Sequence, residues 1–144
     1  MVSGYVMDSS SLLALLILDS EEKVQKILKE SSVLDLTGYG IGSILTKGND
    51  GHIKGIDREI ILDLTKEIQK VIANIRVIRL NTLDIADIMK LSLSTGLTFY
   101  DVSYVFYCKF HKMALLTDDN KMYRETRKLG LEVNKVEELS LNVT

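Results

Sequence analysis

Short apolar runs alternate with amphipathic stretches from one end of this chain to the other, and that alternation leaves few folds open. Tyr5 to Met7 reads as the end of a short buried strand, and Asp8 with three serines supplies helix-capping chemistry ahead of Leu12 to Leu16. Glu21 to Glu30 reads as an amphipathic helix with Val24, Ile27 and Leu28 on one face. Val33 to Leu36 follows as a strand, and Thr37 to Lys47 as a helix in spite of three glycines. Gly48 to Gly55 concentrates glycine and turn formers and is the clearest loop. Asp57 to Ile75 has helical spacing of its apolar residues, and Arg76 to Leu80 alternates like a strand. Asn81 to Ser94 and Phe99 to Lys112 are two more expected helices, and Met113 to Leu116 a short strand. Asn120 to Leu129 is a helix closed by Gly130, and Leu131 to Val133 the last strand. The expected architecture is a three-layer α/β/α sandwich around a mainly parallel sheet of about five strands, with residues 1–144 forming one domain.

Composition agrees with a globular chain. Of 144 residues, 46% are hydrophobic and 26% charged, with a formal net charge of -2, which excludes a disordered class and gives no bulk case for a nucleic-acid binder. Basic residues are nevertheless local to the last third: Lys109, Lys112, Lys121, Arg124, Arg127 and Lys128. Cys108 is the single cysteine, so no intrachain disulfide can form and no Cys/His cluster has zinc spacing, and a reducing cytoplasm is expected. The apolar run Leu12 to Leu18 is far shorter than a membrane span and is preceded by Asp8 rather than a basic flank, so no membrane association is expected.

In parallel sheets, ligands collect outside the carboxyl ends of the strands, where strand order reverses. Asp8, Asp118 and Asp119 follow apolar strands directly, and Asp101 opens the helix that feeds the next strand. Carboxylates gathered there repel each other unless a cation neutralises them, and hard oxygen ligands suit Mg²⁺ or Mn²⁺. Each acid also has a purely structural role open to it. Asp8 can cap the first helix, Thr98-Phe99-Tyr100-Asp101 matches a capping box, and Asp118 or Asp119 can cap the helix after them. Capping accounts for each acid singly; it does not account for their falling on one edge.

Other candidates carry less. His52 and His111 are isolated and fit structural roles, and Cys108 on an apolar helix is core filler. The aromatic set Phe99, Tyr100, Tyr104, Phe106, Tyr107 and Phe110 reads as helix packing. The glycine loop lacks the Gly-Lys-Ser/Thr ending of a phosphate-cradling loop. An aspartyl-nucleophile phosphatase would need an acid two residues after Asp8, where Ser10 stands.

Taken together, the segments resemble the PIN-domain ribonuclease family, in particular the small toxin subunits of VapBC toxin–antitoxin pairs. Val6-Met7-Asp8-Ser9-Ser10 is similar to the family's apolar-Asp-x-Ser/Thr opening. Tyr100-Asp101-Val102-Ser103-Tyr104, followed by Thr117-Asp118-Asp119, is similar to its Tyr-Asp-x-x-Tyr helix and Thr-x-Asp turn. The resemblance runs over nearly the whole chain. It implies that Asp8, Asp101 and Asp119 are catalytic acids binding Mg²⁺ or Mn²⁺, that Ser10 and Thr117 orient them, and that Asp118 occupies the variable position between. The family's remaining acid is a glutamate in a Tyr-Glu-x-x-Asn-x-Leu pattern; the segment here is Tyr39-Gly40-Ile41-Gly42-Ser43-Ile44-Leu45, so Gly40 replaces the glutamate and Ser43 the asparagine. Asp35, the nearest acid upstream, lies in an expected strand and is not a substitute.

What the resemblance implies is metal-dependent hydrolysis of phosphodiester bonds in single-stranded or loop RNA, with an antitoxin protein as a partner; a homodimer is the expected assembly, and because Gly40 supplies no ligand, metal affinity is expected to be weakened. The competing reading is a catalytically impaired PIN scaffold that binds RNA or a protein without cutting.

Overall fold

The structure, a computed structural model, describes residues 4–47, 57–80 and 84–141. The first apolar run is strand β1 (Tyr5–Met7), followed by helices α1 (Ser9–Leu16) and α2 (Glu21–Lys29). Strand β2 (Ser31–Leu34) leads into α3 (Thr37–Lys47), and after it come α4 (Arg58–Asn74), β3 (Arg76–Ile78), α5 (Ile85–Thr95) and α6 (Phe99–His111). The chain ends in β4 (Ala114–Leu116), α7 (Asn120–Lys128), β5 (Val133–Asn134) and α8 (Val136–Leu141). The expected loop Gly48 to Gly55, with His52, and the expected helix start at Asn81 lie outside the described residues.

All four ladders are parallel, and the strand order is β3-β2-β1-β4-β5. The chain fills the sheet outward from β1 in one direction and then returns to its other side, so strand order reverses between β1 and β4. Successive residues on each strand face opposite layers. Val6, Leu34 and Leu115 enter a core shared with Ile88, Val102, Tyr104 and Val105. Their neighbours Met7, Val33 and Leu116 enter a second core shared with Leu12, Leu15, Ile41 and Ile68. Helices therefore cover both faces of the sheet, as the apolar strands β1 and β4 inside it require, and the three-layer sandwich expected from the alternation is the observed fold.

Two strands sit two residues from their expected places. The stretch Val33 to Leu36 pairs only through Leu34, because the Leu36 carbonyl accepts the Gly40 N–H and so begins α3. The stretch Leu131 to Val133 is displaced because Leu131 still closes the preceding helix: its N–H donates to Thr126 C=O, with Gly130 at φ 77°. Helix α8 was not anticipated at all; six residues are too few for a legible period. Of the aromatic set, Tyr104 is fully buried and Phe99, Tyr100, Phe106 and Tyr107 pack against the core, whereas Phe110 is 75% exposed. His111 stacks on Tyr107 with ring centroids 4.2 Å apart, and Cys108 is buried, its thiol pushed up to about 12 chiefly by desolvation.

Leu115 is fully buried at the centre of β4. Leu115→Ala is expected to lower the unfolding free energy by roughly 2–5 kcal/mol, since a cavity between close-packed layers closes only partly. Urea denaturation followed by circular dichroism checks this, and a loss well under ~1 kcal/mol would mean that the two layers relax around the gap.

Candidate functional site

Asp8 leaves β1 at the point of strand reversal and is held there from both sides. Its backbone N–H donates to Leu116 C=O on β4 (3.1 Å). Its side chain caps α1: Oδ1 accepts the Ser11 N–H (2.9 Å) and the Ser10 hydroxyl (2.8 Å), while the Thr117 hydroxyl donates to Oδ2. The carboxylate is only 5% exposed, and desolvation raises its pKa from 3.8 to about 6 against the lowering effect of these hydrogen bonds.

Thr117, immediately after β4, carries the connection onward. Its Oγ1 accepts the Asp119 N–H (3.2 Å). Asp119 caps α7 through the Met122 N–H (2.8 Å), leaving Oδ2 without a hydrogen bond among the described residues. Asp118 points elsewhere: its N–H donates to Ser10 Oγ (2.9 Å) and its carboxylate accepts the Val136 N–H (3.0 Å), tying the start of α8 to the turn.

Asp101 lies in the first turn of α6, where Thr98 is the cap and accepts the Asp101 N–H (3.1 Å). The capping box is thus made from its Thr98 side, and the Asp101 carboxylate remains at the edge. Burial raises its pKa first, and the Asp119 carboxylate adds to that rise; the Thr98 hydroxyl and the Lys121 ammonium oppose it. Lys121 also donates to the Gly96 carbonyl (2.8 Å). Of the basic residues in the last third, Lys121 stands by the acids, whereas Arg127 lies over the Tyr123 ring (5.6 Å) and Lys128 pairs with Glu125 (3.1 Å).

Neither Asp35 nor Ser43 brings a side chain to the place where the resemblance leads one to expect a glutamate. Asp35 is exposed and accepts the Leu80 N–H (3.2 Å) across the ends of β2 and β3. Ser43 is exposed on α3. The space around Gly40 is filled by two hydroxyl groups that sequence reasoning did not assign to the site: a Cβ there would lie 2.2 Å from Ser9 Oγ and 2.2 Å from the Tyr100 hydroxyl. Tyr100 was read as packing, and only its adjacency to Asp101 in the sequence hinted otherwise.

Among the described residues no three His, Cys, Asp or Glu side chains come together so as to hold an ion. The acids therefore do not form an all-protein cage. Asp101 and Asp119 are close enough for one carboxylate to perturb the other, and such a pair suits a Mg²⁺ ion that keeps most of its water.

No family model matches the chain. It is 27% identical over 123 residues to exonuclease VapC9 of Pyrobaculum aerophilum, spanning 85% of this chain and 86% of that protein. A crystal structure from Pyrobaculum aerophilum superposes with a TM-score of 0.75 at 24% identity, covering 96% of this chain and 88% of the other. The chain thus has the PIN-like fold and is similar in sequence to a VapC protein. Among PIN-fold neighbours, a toxin–antitoxin complex from Klebsiella pneumoniae aligns with a TM-score of 0.53 at 14% identity, covering 83% of this chain and 90% of that one.

In this chain the ionised form of Asp8 is less favourable folded than unfolded, because burial raises its pKa. The penalty is absent below pH 3.8, develops as pH rises toward 6 and is complete above it. Asp8→Asn keeps the cap and lets the Thr117 hydroxyl turn to accept. It is expected to stabilise the fold at pH 7.5 by on the order of 2–3 kcal/mol, the gain fading by about pH 4. Chemical denaturation at the two pH values checks this; an equal effect at both would mean that Asp8 is not ionised against a burial penalty.

Proposed function

We propose that the chain is a Mg²⁺- or Mn²⁺-dependent ribonuclease that hydrolyses phosphodiester bonds of single-stranded or loop RNA, working from a reduced acidic site. The observation that carries this reading is the continuous run from Asp8 through Thr117 to Asp119 across the reversal point, with Asp101 beside Asp119. The 27% identity to exonuclease VapC9 supports a nuclease over other uses of such an edge.

Asp101 and Asp119 would hold the cation directly, and Asp8, with both oxygens already hydrogen-bonded, would set the electrostatics behind them and fix the turn. When bound, a divalent ion at such a site activates water and stabilises charge on the phosphate. The chain's own residues do the rest. Ser10 and Thr117 lock the Asp8 carboxylate, Thr117 fixes the Asp119 backbone, and Lys121 offers a positive charge for a backbone phosphate next to the acids. Likeness to a toxin–antitoxin complex favours an antitoxin protein as the physiological partner; a homodimer as its binding form and the cytoplasm as its place of action belong to the same proposal. No helix of the described residues is long and apolar enough to cross a membrane.

A second reading, a scaffold that binds RNA or a protein without cutting it, is favoured by one observation, the filled space at Gly40. Incubation of labelled single-stranded RNA with Mn²⁺ separates the two. Cleavage by the native chain, reduced at least ~100-fold in Asp101→Asn and in Asp119→Asn, is the expected result. RNA bound equally well in chelator and left intact would overturn the nuclease reading in favour of the scaffold, and cleavage unaffected by both substitutions would remove these acids from the site.

A further inference from the structure

Two glycines in the interior of α3, two residues apart and so on opposite sides of the helix, behave differently. A Cβ on Gly42 would meet nothing within 4 Å. A Cβ on Gly40 would lie 2.2 Å from both Ser9 Oγ and the Tyr100 hydroxyl, and 3.0 Å from Tyr100 Cζ. Distances of that kind require the neighbours to move, and these neighbours are held. The Tyr100 hydroxyl donates to Leu36 C=O (3.1 Å) and lies 3.0 Å from the Tyr104 hydroxyl and 3.3 Å from Ser9 Oγ. Ser9 in turn donates to Thr37 C=O (3.2 Å), and Thr37 Oγ1 lies 2.7 Å from the fully buried Tyr104 hydroxyl. The Tyr100 and Tyr104 rings meet edge to face at 5.5 Å. Six hydrogen-bonding groups of five residues on α1, α3, α6 and the turn before α3 thus form the network that holds the two oxygens beside Gly40.

We propose that Gly40 and Tyr100 are a matched pair: the Tyr100 hydroxyl, with Ser9, occupies the volume that any side chain at position 40 needs, closing the fourth-carboxylate position so that an acid restored there alone cannot join Asp101 and Asp119. Glycine at 40 is then required by its surroundings and is more than a lost ligand. Tyr100 is a positioning residue that holds the site in its reduced form. The consequence for cation binding rests on the proposed function; the steric claim does not.

The test has a steric arm and a cation arm. In thermal unfolding, Gly42→Ala is expected to raise the midpoint by roughly 2–4 °C, as alanine does in an open helical position of a chain this size. Gly40→Ala is expected to lower it. In a Ser9→Ala/Tyr100→Phe background, Gly40→Ala is expected to lower it by much less, because the two close oxygens are gone and only the ring carbon at 3.0 Å still has to give way. A rise with Gly40→Ala in the native background equal to that of Gly42→Ala would overturn the proposal whatever the chain's activity. In the cation arm, Mn²⁺ binding is measured by calorimetry without RNA. Gly40→Glu in the native background is expected to bind within about twofold of the native chain, whereas Gly40→Glu with Ser9→Ala/Tyr100→Phe is expected to bind at least ~10-fold more tightly. Tight binding by Gly40→Glu alone would overturn the closed-position claim. If the steric arm holds and no variant binds Mn²⁺, the fault lies with the metal-dependent reading and the matched pair stands on the melting data.

Discussion

The hydrogen bond from the Thr117 hydroxyl to the buried Asp8 carboxylate is the constraint on which the edge of this molecule depends. It joins the turn leaving β1 to the turn leaving β4, the two strands between which the sheet reverses direction. Asp118 and Asp119 are positioned relative to that junction. Thr117 accepts the Asp119 N–H, Ser10 accepts the Asp118 N–H, and Ser10 itself donates to Asp8. A carboxylate desolvated to this degree is stable only with its oxygens satisfied. The same bonds that make burial tolerable are therefore those that fix the turns.

A second network of hydroxyl groups lies beside the first and differs from it in charge. Ser9, Thr37, Tyr100 and Tyr104 supply hydroxyl groups to it, and desolvation holds the Tyr104 phenol well above its usual range. The sequence neighbours Ser9 and Ser10 divide between the two networks, Ser10 turning toward Asp8 and Ser9 toward Gly40. Where a fourth carboxylate would add repulsion to Asp101 and Asp119, the chain places dipoles that satisfy one another. This lowers the electrostatic cost of an edge without a cation, and it lowers the drive to recruit one.

The fold was legible because strands buried on both faces must be apolar throughout and the helices between them must be amphipathic, which is a pattern a single sequence displays. Element ends were less so. The start of α3 and the end of α7 are decided by single backbone bonds, from Gly40 N–H to Leu36 C=O and from Leu131 N–H to Thr126 C=O, and these drew two expected strands out of place. At the site, the capping chemistry of Asp8, Asp119 and Thr98 could be read locally, since a cap is a bond across three residues. That Asp118 would reach α8 could not, because its partner lies 18 residues away in a helix with no visible period. Nor could the Tyr100 hydroxyl be placed over Gly40, for its contacts join residues 60 and more positions apart.

The two networks together bear on how such an edge would meet RNA. Two carboxylates supply few of the oxygens a hard divalent ion prefers, so the remainder must come from water and from the substrate's own phosphate. A site of that kind has little affinity for the ion alone and gains it when a phosphate arrives, which couples cation and RNA occupancy as reciprocal terms of one equilibrium. Lys121, placed beside Asp101 and already partly engaged with the Gly96 carbonyl, contributes positive charge to the same equilibrium. In a four-acid site the protein alone would gather the ion; on the proposed function that task shifts toward the substrate, and the hydroxyl groups beside Gly40 would keep it there.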